Sequence, residues 1–194
     1  MRVEYSFYLY NKFAADGLTV AAEKLLRMKT GGRITKPPVV VCVGSDLAIG
    51  DSLGPITGSM LKFKTQGLPV FLYGTLASPV TAREIKYLRT FLKETHKGSP
   101  IIAVDAAVGQ AGDVGLIKIN DAPLKPGAGA NKHLGNLGDI SIMGVVAEKS
   151  IAHYNLLNGT RLNLVYTMSE IISTSLSDLL LGACAKEKML SKIG

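Results

Sequence analysis

The chain has no tryptophan, two cysteines and three histidines among 194 residues, and only 19% of it is charged. Each scarcity removes a class of explanation. Cys42 lies within an apolar run and Cys184 in a late helical segment. Two such cysteines make neither a disulfide framework nor a CxxC metal or redox pair, so a reducing compartment is expected. The net charge is +7, from 22 Lys and Arg against 15 Asp and Glu. The basic residues are scattered over 62–64, 83–97, 118–132 and 186–192, with no aromatic-interleaved cluster and no zinc-finger spacing. Such a surface attracts acidic partners without selecting one, so no direct nucleic-acid partner is expected. No apolar run approaches the about 18 residues that a membrane span requires. The opening "MRVEYSFYLYNKFAADG" is broken by polar residues before a signal-peptide core forms. The expectation is a cytoplasmic protein with no membrane partner.

What is present is an apolar chain, 47% hydrophobic, long enough to fill one domain over 1–194 and without a linker that would divide it. Residues 14–30 carry apolar positions at helical spacing and stop at Gly31-Gly32, so 1–36 reads as a helical segment preceding an α/β core over 37–194. Val39–Val43 is a β-branched run of the kind found in strands covered on both faces. Further strands are expected at 68–75, 100–109, 114–121 and 140–146. The strand at 114–121 follows so short a connection that an antiparallel course suits it. Helices are expected over 52–65, from near Pro79 to His96, in "KSIAHYNLL", and from Thr160 to the end. The alternation gives an α/β fold with a mostly parallel sheet, in which sites gather at the carboxyl ends of strands.

Asp46, Asp51 and Asp105 stand at such ends. Two carboxylates in one crevice share a proton, one being pushed up, which suits a general acid–base pair acting on water and an amide. The plainer alternative is that Asp51 caps the helix beginning at Ser52 and Asp105 accepts turn amides. The loop "GSDLAIGDSLG", which opens with Gly44, Ser45 and Asp46, precedes a helix as phosphate loops do. It lacks the Lys-Ser/Thr of a Walker loop and the three-glycine dinucleotide spacing, and its carboxylates would repel phosphate. The aspartates are also metal-ligand types, but His96, His133 and His153 are dispersed and give no ligand spacing. The glycine-rich "LKPGAGANKHLG" is either a main-chain binding loop or a flexible connector.

The ordered set "VVCVGSDLAIGDSLGP", "GT", "IIAVDAAVG" and "LKPGAGANK" resembles the YyaC-type sporulation proteins, relatives of the spore germination protease. The resemblance runs from Pro38 to Leu181. More distantly, the strand–loop layout is similar to that of hydrogenase maturation endopeptidases. The resemblance implies a three-layer α/β/α fold around a mixed five-stranded sheet, with Asp51 and Asp105 as the catalytic pair of an endopeptidase. It places Gly127, Gly129, Asn131 and Lys132 near the site, beside Gly44, Ser45 and Asp46 as binding residues. It further implies a peptide or small spore protein as substrate and a forespore or spore location. The alternative it leaves is a non-catalytic peptide-binding or regulatory protein that keeps the fold. An assembly of identical chains is compatible with either.

The hydrogenase-type relatives hold nickel partly through a His that falls close to Met143 here. No metal or other cofactor is therefore expected, since carboxylates alone bind transition ions weakly. Protein purified without added metal should carry less than about one-tenth equivalent of nickel or zinc by elemental analysis, the level expected without a multi-ligand site.

Overall fold

The computed structural model describes residues 3–126, 135–149 and 159–190. A six-stranded sheet runs through it, formed by β1 (Glu4–Tyr8), β2 (Val39–Cys42), β3 (Leu72–Tyr73), β4 (Ile101–Gly109), β5 (Leu116–Asn120) and β6 (Ile140–Glu148) in the spatial order β1-β5-β6-β4-β2-β3. The pairings β2–β3, β2–β4 and β4–β6 are parallel, and β5 pairs antiparallel with both β6 and β1. Among the described residues, four α-helices accompany the sheet: α1 (Ala14–Lys29), α2 (Leu53–Lys64), α3 (Ile85–Thr95) and α4 (Leu162–Leu190).

The fold is α/β as the alternation requires, with one strand more than expected. The additional strand is β1, inside the segment read as wholly helical. Val3, Tyr5 and Phe7 pack against the core while Glu4, Ser6 and Tyr8 face outward. This is the period of two that a half-buried strand shows. The strand β5 is antiparallel, but its partners are β6 and β1; β6 inserts between it and β4. Of the stretch 68–75 only Leu72 and Tyr73 form ladder. The helix expected from Pro79 begins at Ile85 instead. Val80 is taken by a bridge to Val43, and the Thr81 N–H and hydroxyl both donate to the Glu84 carboxylate, closing a turn ahead of α3. The helix read in "KSIAHYNLL" lies outside the described residues, apart from Lys149.

Burial separates the two faces of the sheet. On one, Leu18, Leu25 and Leu26 of α1, Leu53 and Leu61 of α2, and Val165, Met168, Ile172 and Leu176 of α4 close over Val40, Cys42, Ile102, Val104, Ile117, Ile119 and Ile142. On the other, Ile85 and Leu92 of α3, with Leu124 and Leu137, cover Val39, Val41 and Ala103. Burying a side chain of this size stabilises by about 1.5–3 kcal/mol, and that is what selects which strand positions are apolar on both faces.

The seating of α2 depends on glycines. A methyl group on Gly54 would meet the Val43 carbonyl oxygen at 1.9 Å, and one on Gly58 would meet the Gly74 carbonyl oxygen at 1.8 Å. Backbone atoms cannot swing aside as side chains do, so the helix lies against the ends of β2 and β3 only because these positions have no Cβ. In an exposed helix interior, Gly→Ala stabilises by about 1 kcal/mol. Gly58→Ala should reverse that sign here and destabilise by at least about 2 kcal/mol, read as a lower midpoint in urea unfolding.

Candidate functional site

The chain leaves β2 on one side of the sheet and β4 on the other. From β2 it passes through α2, on the three-helix face, out to β3; from β3 it returns through α3, on the opposite face, to β4, beyond which lie β6, β5 and β1. Between β2 and β4 the strand order therefore reverses, the position at which open α/β sheets form a crevice. Asp51 and Asp105 are delivered there by different routes.

Asp51 lies in a single 3-10 turn, Gly50–Ser52, that leads directly into α2. A short framework holds the turn. The Ser45 N–H donates to the Asp51 carbonyl at 3.1 Å, the Asp51 N–H to the Ala48 carbonyl at 3.0 Å, and the Ser52 hydroxyl to the Ile49 carbonyl at 2.6 Å. Gly44, at φ +140°, makes the approach feasible, because a Cβ there would sit 2.1 Å from the Asp51 carbonyl oxygen. No side-chain cap is formed at α2, so the capping alternative for Asp51 does not hold. Burial pushes the Asp51 carboxyl up, and the Ser45 N–H opposes part of that rise.

Asp105 is not at a strand end. It lies in the middle of β4, which continues to Gly109 alongside β6 after β2 has stopped at Cys42, the partner of Val104. The end of β2 thus uncovers Asp105 on one side. Its carboxyl is raised well above the usual carboxylate range, first by burial and then by the negative charge of Asp51; the Ala106 N–H, donating at 2.8 Å, opposes both. That like-charge effect is the physical link between the two residues, and it has the sign a proton-sharing pair requires.

Of the other expected site residues, Gly44 and Ser45 form the framework just described. Asp46 sits in an exposed turn and does not enter the pair. Gly127, Gly129, Asn131 and Lys132 lie outside the described residues. The neck of their loop is tied by reciprocal Leu124–Leu137 hydrogen bonds of 2.9 Å, and both leucines are buried on the α3 face, the face toward which Asp105 alternates.

Two features escaped the sequence reading. Ser6, Lys118, Met143 and Asp105 stand in register across four strands, so a cation on β5 shares a row with the carboxylate, with Met143 between. Lys118 holds Asp113 at 2.9 Å, and Glu4, Ala107, Asp113, Lys118, Met143 and Glu148 line a cavity of about 600 Å3 on that open part of the sheet. The alternation in "LIKIN" carried the signal: Ile117 and Ile119 are core, which turns Lys118 to the opposite face. Among the described residues, no group of three His, Cys, Asp or Glu is clustered as metal ligands. Beside Asp105 the register partner is Met143. His96 is buried at the far edge of the sheet, its Nε2 2.6 Å from the Tyr73 hydroxyl. Cys42 is sealed and its thiol is pushed up by burial, so it offers no nucleophile.

A carboxyl raised on folding costs stability as pH increases. The folded state binds the proton more tightly than the unfolded chain, so stability is greatest below the unfolded value of about 3.9 and falls as pH rises toward the folded value. Asp105→Asn keeps the acceptor for Ala106 and removes the charge. It should raise Tm by at least about 2 °C at pH 7, with the gain vanishing below pH 4 in calorimetric scans.

Residues 14–175 match the family described as "Protein of unknown function (DUF1256)". The "Uncharacterized protein YyaC" of Bacillus subtilis (strain 168) is 44% identical over 164 residues, which cover 84% of this chain and 78% of that protein. The matched span contains β2 through β6, the loop from Gly44 to Asp51 and Asp105, so five of the six strands, the switch point and the positions of both carboxylates fall within it, and the chain belongs to the DUF1256 family.

Proposed function

We propose that this protein is an aspartate-dependent endopeptidase related to the spore germination protease, acting on a peptide or small spore protein in the forespore or spore. The observation that carries the reading is the effect of the Asp51 charge on Asp105 at the switch point. Both are raised, and Asp105 is raised further by the charge of Asp51. Environments that push two carboxyls apart assign their roles. Asp105, raised the further of the two, keeps its proton to the higher pH and is the acid. Asp51, steadied by the Ser45 N–H, is the base.

In this mechanism Asp51 takes a proton from a water as its oxygen bonds to the scissile carbonyl carbon. Asp105 gives its proton to the nitrogen as the C–N bond breaks. The proton on Asp51 then passes to Asp105, restoring the pair. Each proton transfer by a positioned group contributes about 10²–10⁴ in rate.

Incubation of purified protein with an extract of small spore proteins should give discrete fragments. Asp51→Asn and Asp105→Asn should each slow their appearance at least about 100-fold. The rate should decline on the alkaline side as Asp105 loses its proton. The absence of fragments with the unaltered protein, or undiminished cleavage by Asp51→Asn, would sink the peptidase reading. Peptide binding without cleavage would instead favour a regulatory protein using the same crevice.

A further inference from the structure

Two turns at the carboxyl ends of β2 and β3 expose leucines, and one of the turns belongs to the loop that positions Asp51. Leu47 is 91% exposed, with Ile49 at 37% in the same loop, and Leu76 is 44% exposed. Isolated exposed leucines are ordinary on protein surfaces. What distinguishes these is how firmly the backbone holds them out. The Leu47 N–H donates to the Ser45 hydroxyl at 3.2 Å, within the framework that fixes Asp51. The Leu76 N–H donates to the Ser59 hydroxyl of α2 at 2.9 Å, and the Thr75 and Ser78 backbones exchange two hydrogen bonds of 3.1 Å. The turns share an anchor as well. The Gly44 N–H, at the start of the Leu47 loop, donates to the Val80 carbonyl at the end of the Leu76 turn at 2.9 Å.

A flexible loop would fold its leucine back onto the protein and recover the hydrophobic gain. These turns forgo it, and their rigidity lowers the ordering cost of binding whatever covers them. Because the Leu47 loop is the segment that positions Asp51, a chain lying over Asp51 runs beside Leu47.

We infer that Leu47 and Leu76, with Ile49, are specificity-determining residues that hold an extended polypeptide by its apolar side chains, so that the site selects apolar segments. The inference rests on the peptidase reading for the identity of the occupant as a polypeptide. Apolar selection also fits the low charge of the turns themselves, in which Asp46 is the sole charged residue between Gly44 and Ile49 and none occurs between Thr75 and Val80.

The test uses Asp51→Asn protein, which should bind without turnover, titrated by fluorescence anisotropy with labelled Gly/Ser decapeptides. The central pair of each peptide is Leu-Leu, Phe-Phe or Ser-Ser. The apolar peptides should bind at least tenfold more tightly than the Ser-Ser peptide. Leu47→Ser and Leu76→Ser in the same background should each cut that preference at least threefold, while Leu47→Met preserves it. Both leucines are exposed enough for far-ultraviolet circular dichroism to show unchanged folding. Equal binding of all three peptides, or a preference unaltered by Leu47→Ser, would overturn the inference. Apolar-selective binding without cleavage by the unaltered protein overturns the peptidase reading and leaves this inference standing. Cleavage without apolar preference does the reverse.

Discussion

The close contact between the α2 backbone and the carbonyls of Val43 and Gly74 determines the geometry above the carboxyl edge of the sheet. With side chains at Gly54 and Gly58 the helix would have to stand off from the sheet by the radius of at least a methyl group. The 3-10 turn ahead of α2 would move with it, and so would Asp51. On the other side, β4 is fixed by β2 and β6 together. One carboxylate is thus set by helix seating and the other by strand pairing, which ties their separation to the depth at which α2 lies. The buried α4 serines reinforce that seat, the Ser169 hydroxyl donating to the Leu53 carbonyl at 3.1 Å.

Two half-buried carboxylates raised by desolvation are costly to fold, and the chain offsets the cost elsewhere. The sheet face under α1, α2 and α4 is almost wholly aliphatic, and the β2–β4 pairing has its residues fully enclosed from Val39 to Cys42. Burial on that scale tolerates a locally unfavourable pair, as functional sites commonly require. The polar part of the opposite face, with Lys118, Asn120 and Ser141, is where the sheet relinquishes apolar packing.

The sequence made some of this legible and hid the rest for identifiable reasons. "VVVC" and "IIAVDAAVG" are short, apolar and β-branched, and their strands appear within one or two residues of expectation. Asp51 and Asp105 could be selected because carboxylates are conspicuous at the boundaries of such runs. The position of Asp105 was misjudged because strand length is set by neighbours: β4 outlasts β2 through its pairing with β6, a residue span distant in sequence. For the same reason β1 was missed. Its alternation over "EYSFY" is only five residues long, and its partner β5 lies more than a hundred residues away. The row from Ser6 through Lys118 and Met143 to Asp105 exists only once three pairings are known. Asp46 has the same composition cue as Asp51, yet lacks the backbone framework that turns Asp51 inward.

The sealed position of Cys42 has a use. Its side chain belongs to the core beneath α2, and its carbonyl lies where a Cβ on Gly74 would collide, so reagent reaches the thiol only when that corner of the structure separates. With burial holding the thiol far from its ionised form, its alkylation in the native protein counts opening events and not intrinsic reactivity. The polypeptide therefore carries, one strand away from Asp105, an internal gauge of how often its carboxylate crevice comes apart.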